Sequence, residues 1–301
     1  MAGGMQGWVI DGYDIWTTDI RARAWKKVPV DGSMVLAGPS WGVSSSGGMW
    51  AVRGGGVDEA QLMRVSKDGK VEFVRLPCPP ASCVTAGADF DRFGKRGLLV
   101  VLVASRNLKQ EETDRVNVYR TVDGGRSWEL TAAPDVTVFR GDIEVKITGN
   151  DRALIVAGCD FWLTSDLGRT WAAGRSVETS SALCGEVSKP YSIRFTRAGV
   201  GWLRTYAGLI FATSDGGASW RPTDIGFNNT MIPGGWDEWV SFADESRGAL
   251  ISDGRVFVTR DGGQTWGEIG QHHEPFISVA CAADHCVLWS SLRIAELFIG
   301  R

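Results

Sequence analysis

Short apolar stretches of four to six residues, each bounded by Asp, Gly or Ser, recur along almost the whole chain. They are clearest near the C-terminal end, at 238–243, 247–252, 255–259 and 265–269, and again at 191–196, 201–205, 209–213 and 219–222. Runs of this length, rich in β-branched and aromatic residues and punctuated by turn formers, predict antiparallel strands in sets of four. No segment keeps a helical period. Between the third and fourth run of a set lies one eight-residue pattern: Thr, any residue, Asp, any residue, Gly, any residue, Ser or Thr, Trp. It occurs at Thr121–Trp128, Thr164–Trp171, Thr213–Trp220 and Thr259–Trp266, with successive starts 43, 49 and 46 residues apart.

A period of 40 to 50 residues with four strands per repeat predicts a β-propeller, an all-β fold of four-stranded antiparallel blades. Two degenerate copies extend the series backwards. Thr17, Thr18 and Asp19 precede Trp25, and Ser66, Asp68 and Gly69 precede Phe73. Six copies predict six blades, closed by joining N- and C-terminal strands, with Phe276–Ala280 supplying the strand the first unit lacks. The alternative is seven blades, because 286–291 and 293–299 also read as strands; 277–300 then forms most of the last blade. Either count gives a single domain over 1–301, read as a monomer.

The motif explains itself mechanically. Asp123, Asp166, Asp215 and Asp261 are expected to accept hydrogen bonds from the turn, and the glycines to adopt angles closed to other residues. The hydroxyl bonds back into the turn, while Trp128, Trp171, Trp220 and Trp266 supply an apolar face and an N–H for a carbonyl. These are structural roles.

These residues resemble the Asp-box, or bacterial neuraminidase repeat, and the four copies match it in every defining position. Gly201-Trp202, Gly208-Leu209-Ile210 and the motif from Thr213 further resemble the photosystem II stability and assembly factor propellers, as do Gly7-Trp8 and Trp16 to Asp19. Propellers of the Asp-box kind include sialidases, xyloglucan hydrolases, the sortilin ectodomain and non-enzymatic assembly factors, so the resemblance implies a fold and leaves function open.

Composition narrows the choice. The 301 residues include 39 Gly and 14 Trp, as many short strands with glycine turns require. A formal charge of −3 and a pI near 5.7, without a Lys/Arg run, give no field for phosphate backbones, so no nucleic acid is expected as partner. The longest apolar run, 97–105, is too short to span a bilayer, and the first residues carry neither a basic region nor an apolar stretch typical of a signal peptide.

Six cysteines fall as Cys78 and Cys83, Cys159 and Cys184, and Cys281 and Cys286. The first and last pairs share a C-x4-C spacing over turn-forming or small residues, which suits disulfides across tight loops; buried free thiols and a metal site are the alternatives. The same spacing resembles that of secreted bacterial propellers with similar repeats. Disulfides place the chain outside the cytoplasm. His272, His273 and Glu274 form the one histidine cluster, with no third ligand in view, and His285 lies within a cysteine pair; no metal and no cofactor are expected.

A sialidase built on this repeat is expected to carry an arginine triad, a Tyr nucleophile with a Glu, and a Phe-Arg-Ile-Pro-like string. That string is missing, and the nucleophile candidates reduce to Tyr13, Tyr119, Tyr191 and Tyr206. No catalytic residue is therefore assigned. The binding site is expected on the long connections at the blade ends away from the motif: 175–191, 222–236 and 106–115. Asn228, Asn229, Trp236, Asp237, Glu238 and Trp239, with Lys189 and Arg106, offer aromatic, amide and charged groups for a protein, peptide or glycan. Trp236 and Trp239 equally suit covering a blade edge. A Cys159–Cys184 bridge would pin the 175–191 connection and lower the ordering cost of binding. The function expected is that of a non-catalytic binding or assembly scaffold; a sialidase-like or other glycoside hydrolase is the alternative.

Overall fold

The computed structural model describes residues 6–11, 14–19, 24–30, 36–53, 59–78, 83–91, 94–106, 112–134, 143–157, 160–174, 190–196, 199–205, 210–223, 240–252, 255–271, 276, 278–282, 284–289 and 294–300. The fold is an all-β, seven-bladed propeller of antiparallel blades with strands in meander order. The chain divides into two compact units, Met1–Ala173 and Gly174–Arg301.

The first unit holds four blades. Blade 1 comprises Gln6–Asp11, Asp14–Asp19 and Ala24–Val28; blade 2, Leu36–Val43, Met49–Arg53, Gln61–Val65 and Val71–Arg75. Blade 3 comprises Cys83–Phe90, Gly97–Arg106, Glu112–Thr121 and Glu129–Thr131; blade 4, Ile143–Ile147, Ala153–Ala157, Asp160–Thr164 and Ala172–Ala173.

The second unit holds three. Blade 5 comprises Pro190–Phe195, Gly201–Thr205, Ile210–Thr213 and Arg221–Pro222; blade 6, Val240–Phe242, Gly248–Ser252, Arg255–Thr259 and Gly267–Gln271. Blade 7 comprises Ser278–Ala282, His285–Trp289 and Ile294–Phe298.

Seven sheets correct the six-bladed reading and agree with its alternative. The stretch expected to complete the first blade instead opens blade 7, where Ser278–Ala282 pairs with His285–Trp289. Blade 1 starts with its own N-terminal strand, and no sheet among the described residues joins N- and C-terminal strands. The motif count misled because blade 7 carries no copy: strand pairing and burial define a blade, and the motif decorates only some of the turns.

Burial explains why the apolar runs are continuous. Leu98, Val100 and Leu102 join a cluster with Ile143, Val145 and Ile155 of blade 4, while Leu99 and Val101 join one with Trp50, Val52 and Leu62 of blade 2. Both faces of the Gly97–Arg106 strand are therefore buried between blades, so it needs apolar residues at successive positions. Each such Leu or Val contributes about 1.5–3 kcal/mol. Blade 6 repeats the arrangement: Ala249 and Ile251 pack with Val279 and Leu288 of blade 7, Leu250 with Ile210 of blade 5. Fourth strands are short and exposed, as in Ala172–Ala173 and Arg221–Pro222, which limits the unpaired edge each blade presents.

Side-chain hydrogen bonds stitch neighbouring blades. Asp89 Oδ2 accepts from the Ile147 N–H at 2.7 Å, and Ser241 Oγ, at the equivalent place in blade 6, accepts from the Cys281 N–H at 2.9 Å. Cys281 and Cys286 are cross-strand partners and form a disulfide; Cys78 is also disulfide-bonded. No described cysteine is free. Cys83 opens a strand of blade 3, and Cys159 and Cys184 lie outside the described residues.

Candidate functional site

The four motif turns share one hydrogen-bond pattern. In blade 6, Thr259 Oγ1 donates to Asp261 Oδ1 at 2.8 Å and accepts from the Gly263 N–H at 2.9 Å. Asp261 Oδ1 also accepts from the Thr265 N–H at 2.9 Å, and its Oδ2 from the Thr265 hydroxyl at 2.6 Å. The same bonds recur around Asp123, Asp166 and Asp215. Each aspartate accepts a backbone N–H of the turn, as expected, while the threonine hydroxyl receives the glycine N–H, and Gly125, Gly168, Gly217 and Gly263 all have positive φ.

These bonds favour the carboxylate form. Hydrogen bonds from the Ser127 hydroxyl and N–H hold Asp123 down to about 2, and those from Thr170 do the same for Asp166. At Asp215 and Asp261 burial pushes the other way, and the bonds from Ser219 and Thr265 outweigh it. A carboxylate ionised and saturated in this way is a poor proton donor near neutrality, which agrees with a structural role. The expected tryptophan N–H to carbonyl bond occurs at Trp171, which donates to Ala132 O at 2.9 Å. In contrast, Nε1 of Trp128 and of Trp266 is buried with no hydrogen-bond partner among the described residues.

At the other end of the blades one element stands out. The Gly97–Arg106 and Glu112–Thr121 strands are 10 residues each, twice the 5 of the equivalent Ala153–Ala157 and Asp160–Thr164 pair. Expected to be a loop from 106 to 115, this connection is instead an extended ladder whose outermost pair is Glu112 with Arg106. Arg106 thus belongs to the outermost described pair of the hairpin. Lys189, Asn228, Asn229, Trp236, Asp237, Glu238 and Trp239 lie outside the described residues, as does the His272–Glu274 cluster. Of the tyrosines, Tyr119 packs against the apolar cluster shared by blades 2 and 3.

A feature that sequence reasoning missed lies on the motif-turn side of the first unit. A cleft of about 660 Å3 between blades 2 and 3 is lined by Arg64, Lys67, Lys70 and Arg126 above Trp50 and Phe90. Its basic residues are scattered from 64 to 126, so no local run announces it. Among the described residues no group of three His, Cys, Asp or Glu is placed to hold a metal, and no helix is long and apolar enough to cross a membrane.

No protein-family model matches the chain, and no curated protein does either. Solved structures share its fold. A GH74 enzyme from Niastella koreensis aligns over 95% of this chain with a TM-score of 0.62 and 12% identity. This chain spans 49% of that enzyme's length. The β-propeller domain of Cps50 (Swd1) from Myceliophteria thermophila aligns over 100% of this chain and 98% of its own, with a TM-score of 0.61 and 11% identity. YCF48 from Cyanidioschyzon merolae covers 91% of this chain and 98% of its own at a TM-score of 0.45 and 13% identity. At these identities the likeness to the GH74 enzyme and the Cps50 domain speaks for the propeller fold alone.

Proposed function

We propose that this chain is a non-catalytic binding or assembly propeller that recognises a protein, peptide or glycan through the connections at the blade ends away from the motif turns. The observation that carries the reading is the long hairpin of blade 3. Among its residues of described burial the last buried ones are Leu102 and Val116, and the ladder continues to Arg106 and Glu112. The extra four residue pairs project about 13 Å at about 3.3 Å per residue. A strand pair longer than its counterpart in blade 4 and ending in polar residues suits a recognition element. In the second unit, Lys189, Asn228, Asn229 and the 236–239 segment are proposed as ligand-contacting residues of the corresponding connections there.

The four motif turns are read as Asp-boxes acting as hairpin locks, supported by their shared hydrogen bonds. Both compact units are read as parts of one monomeric propeller domain over 1–301. The Cys281–Cys286 bridge supports an extracytoplasmic location. The shared fold with a GH74 enzyme keeps glycoside hydrolysis as the competing reading.

A glycan array paired with a chromogenic glycoside screen separates the two. Binding without turnover, reduced by Arg106→Ala or Trp236→Ala, supports the proposal; turnover of any glycoside overturns it.

A further inference from the structure

The cleft between blades 2 and 3 contains an arginine that forms no ion pair among the described residues, in contrast to one in blade 3. In blade 3, Arg120 pairs across the strands with Glu129, and its Nε donates to that carboxylate at 2.8 Å. In blade 2, Arg64 and Glu72 are likewise directly opposed on the third and fourth strands. Here the pair does not close. Glu72 Oε2 lies 3.8 Å from Arg126 Nη2 on the motif turn of blade 3. Nη1 of Arg64 is buried and has no hydrogen-bond partner among the described residues.

That nitrogen is held against the bare backbone of Gly124, where a Cβ would come within 2.7 Å of it. Nη1 itself is enclosed there, but Arg64 also lines the cleft, and charge-assisted bonds to oxyanions are among the strongest available to arginine. Lys67 and Lys70 line the same cleft together with Asp68 and Glu72, and Trp50, Leu62 and Phe90 give it apolar surface. Trp50 is the cross-strand partner of Arg64, so aromatic surface and positive charge stand side by side.

We infer that this cleft is a second binding site, separate from the long connections, for a small ligand whose phosphate, sulfate or carboxylate meets Arg64 while an apolar or aromatic body lies over Trp50. The motif turn of blade 3 then serves as a wall of the site as well as a hairpin lock. Arg126 is occupied by Glu72 and by the Asp123 carbonyl, which its Nη1 reaches at 3.2 Å, so it frames the opening and leaves ligand charge to Arg64.

Calorimetric titration of the full chain with phenyl phosphate, in a low-salt buffer free of phosphate, tests this. Saturable binding is expected, with at least a tenfold loss of affinity in Arg64→Gln and several-fold weaker binding of inorganic phosphate. An unchanged near-UV circular dichroism spectrum certifies the variant's fold. Should Arg64→Gln not fold, nuclear magnetic resonance of the wild-type chain decides: phenyl phosphate must shift the Arg64 Nε–H and Trp50 Nε1–H signals. No binding to the wild type, undiminished binding to Arg64→Gln, or binding that leaves both signals unmoved would overturn the inference.

Discussion

Phe242 lies directly over Gly248, its partner across the first two strands of blade 6, so closely that a Cβ on Gly248 would stand 2.5 Å from the ring. Phe195 covers Gly201 and Phe90 covers Gly97 in the same way, with corresponding distances of 2.5 and 2.6 Å. Each ring then meets the tryptophan of its blade's motif edge-on, at 5.9 Å for Trp128, 6.0 Å for Trp220 and 5.7 Å for Trp266. Blade 4 makes the opposite choice of sizes: Ile147 stands at the phenylalanine position and Ala153 at the glycine.

This exchange predicts coupled stability effects. Gly248→Ala should cost about 1–3 kcal/mol, since neither ring nor strand has room to yield. In blade 4, Ile147→Phe should destabilise, and adding Ala153→Gly should restore part of the loss. Urea denaturation of the single and double variants measures the coupling; strictly additive effects would contradict the packing account.

The Thr259 hydroxyl predicts a sharper asymmetry. Thr259→Val keeps the shape but leaves the buried Gly263 N–H without its acceptor, a loss of about 1–3 kcal/mol. Thr259→Ser keeps the oxygen and should cost much less. Hydrogen exchange at the Gly263 amide reads this directly, with accelerated exchange expected for valine only.

Acid should weaken the motif turns. Asp123 and Asp166 have folded values of about 2 against the usual 3.8, so their stabilisation is complete above about pH 4 and is lost as pH falls through about 2. Asp123→Asn should show a flatter fall in stability over that window. Titration of the wild-type carboxyl resonances is the check, and a midpoint near 3.8 at Asp123 would refute the turn geometry.

Reduction of Cys281–Cys286 should lower stability only modestly. The bridge closes a loop with a sequence separation of 5, for which chain entropy gives about 2 kcal/mol. A small drop in Tm with reductant is expected, whereas six free thiols by non-reducing mass spectrometry would remove the bridge and the case for an extracytoplasmic location.

Strands, blades and motif turns were largely legible because their signals are local. The runs in blades 5 and 6 reappear as strands within about two residues of the expected bounds. The blade count was not legible, because Ser278–Ala282 reads equally well as a strand of blade 1 or blade 7, and only its pairing with His285–Trp289 decides. Similarly, Arg64 and Arg120 each stand opposite a glutamate of the fourth strand, and only the structure shows that the Arg120 pair closes while the Arg64 pair stays open.

The sequence by itself determined what eight consecutive residues can satisfy among themselves: the hydroxyl, carboxylate and amide bonds of each motif turn need no distant partner. It also determined which strands must be buried on both faces, since a continuous apolar run such as 97–105 has no polar face to offer water. Tertiary structure alone decided which blade each terminal strand joins, which glycine lies under which phenylalanine, and that the Gly124 backbone in blade 3 holds Arg64 of blade 2 without an acceptor. Those outcomes depend on contacts between residues distant in sequence, whose free energy is set by packing between blades and leaves no trace in local pattern.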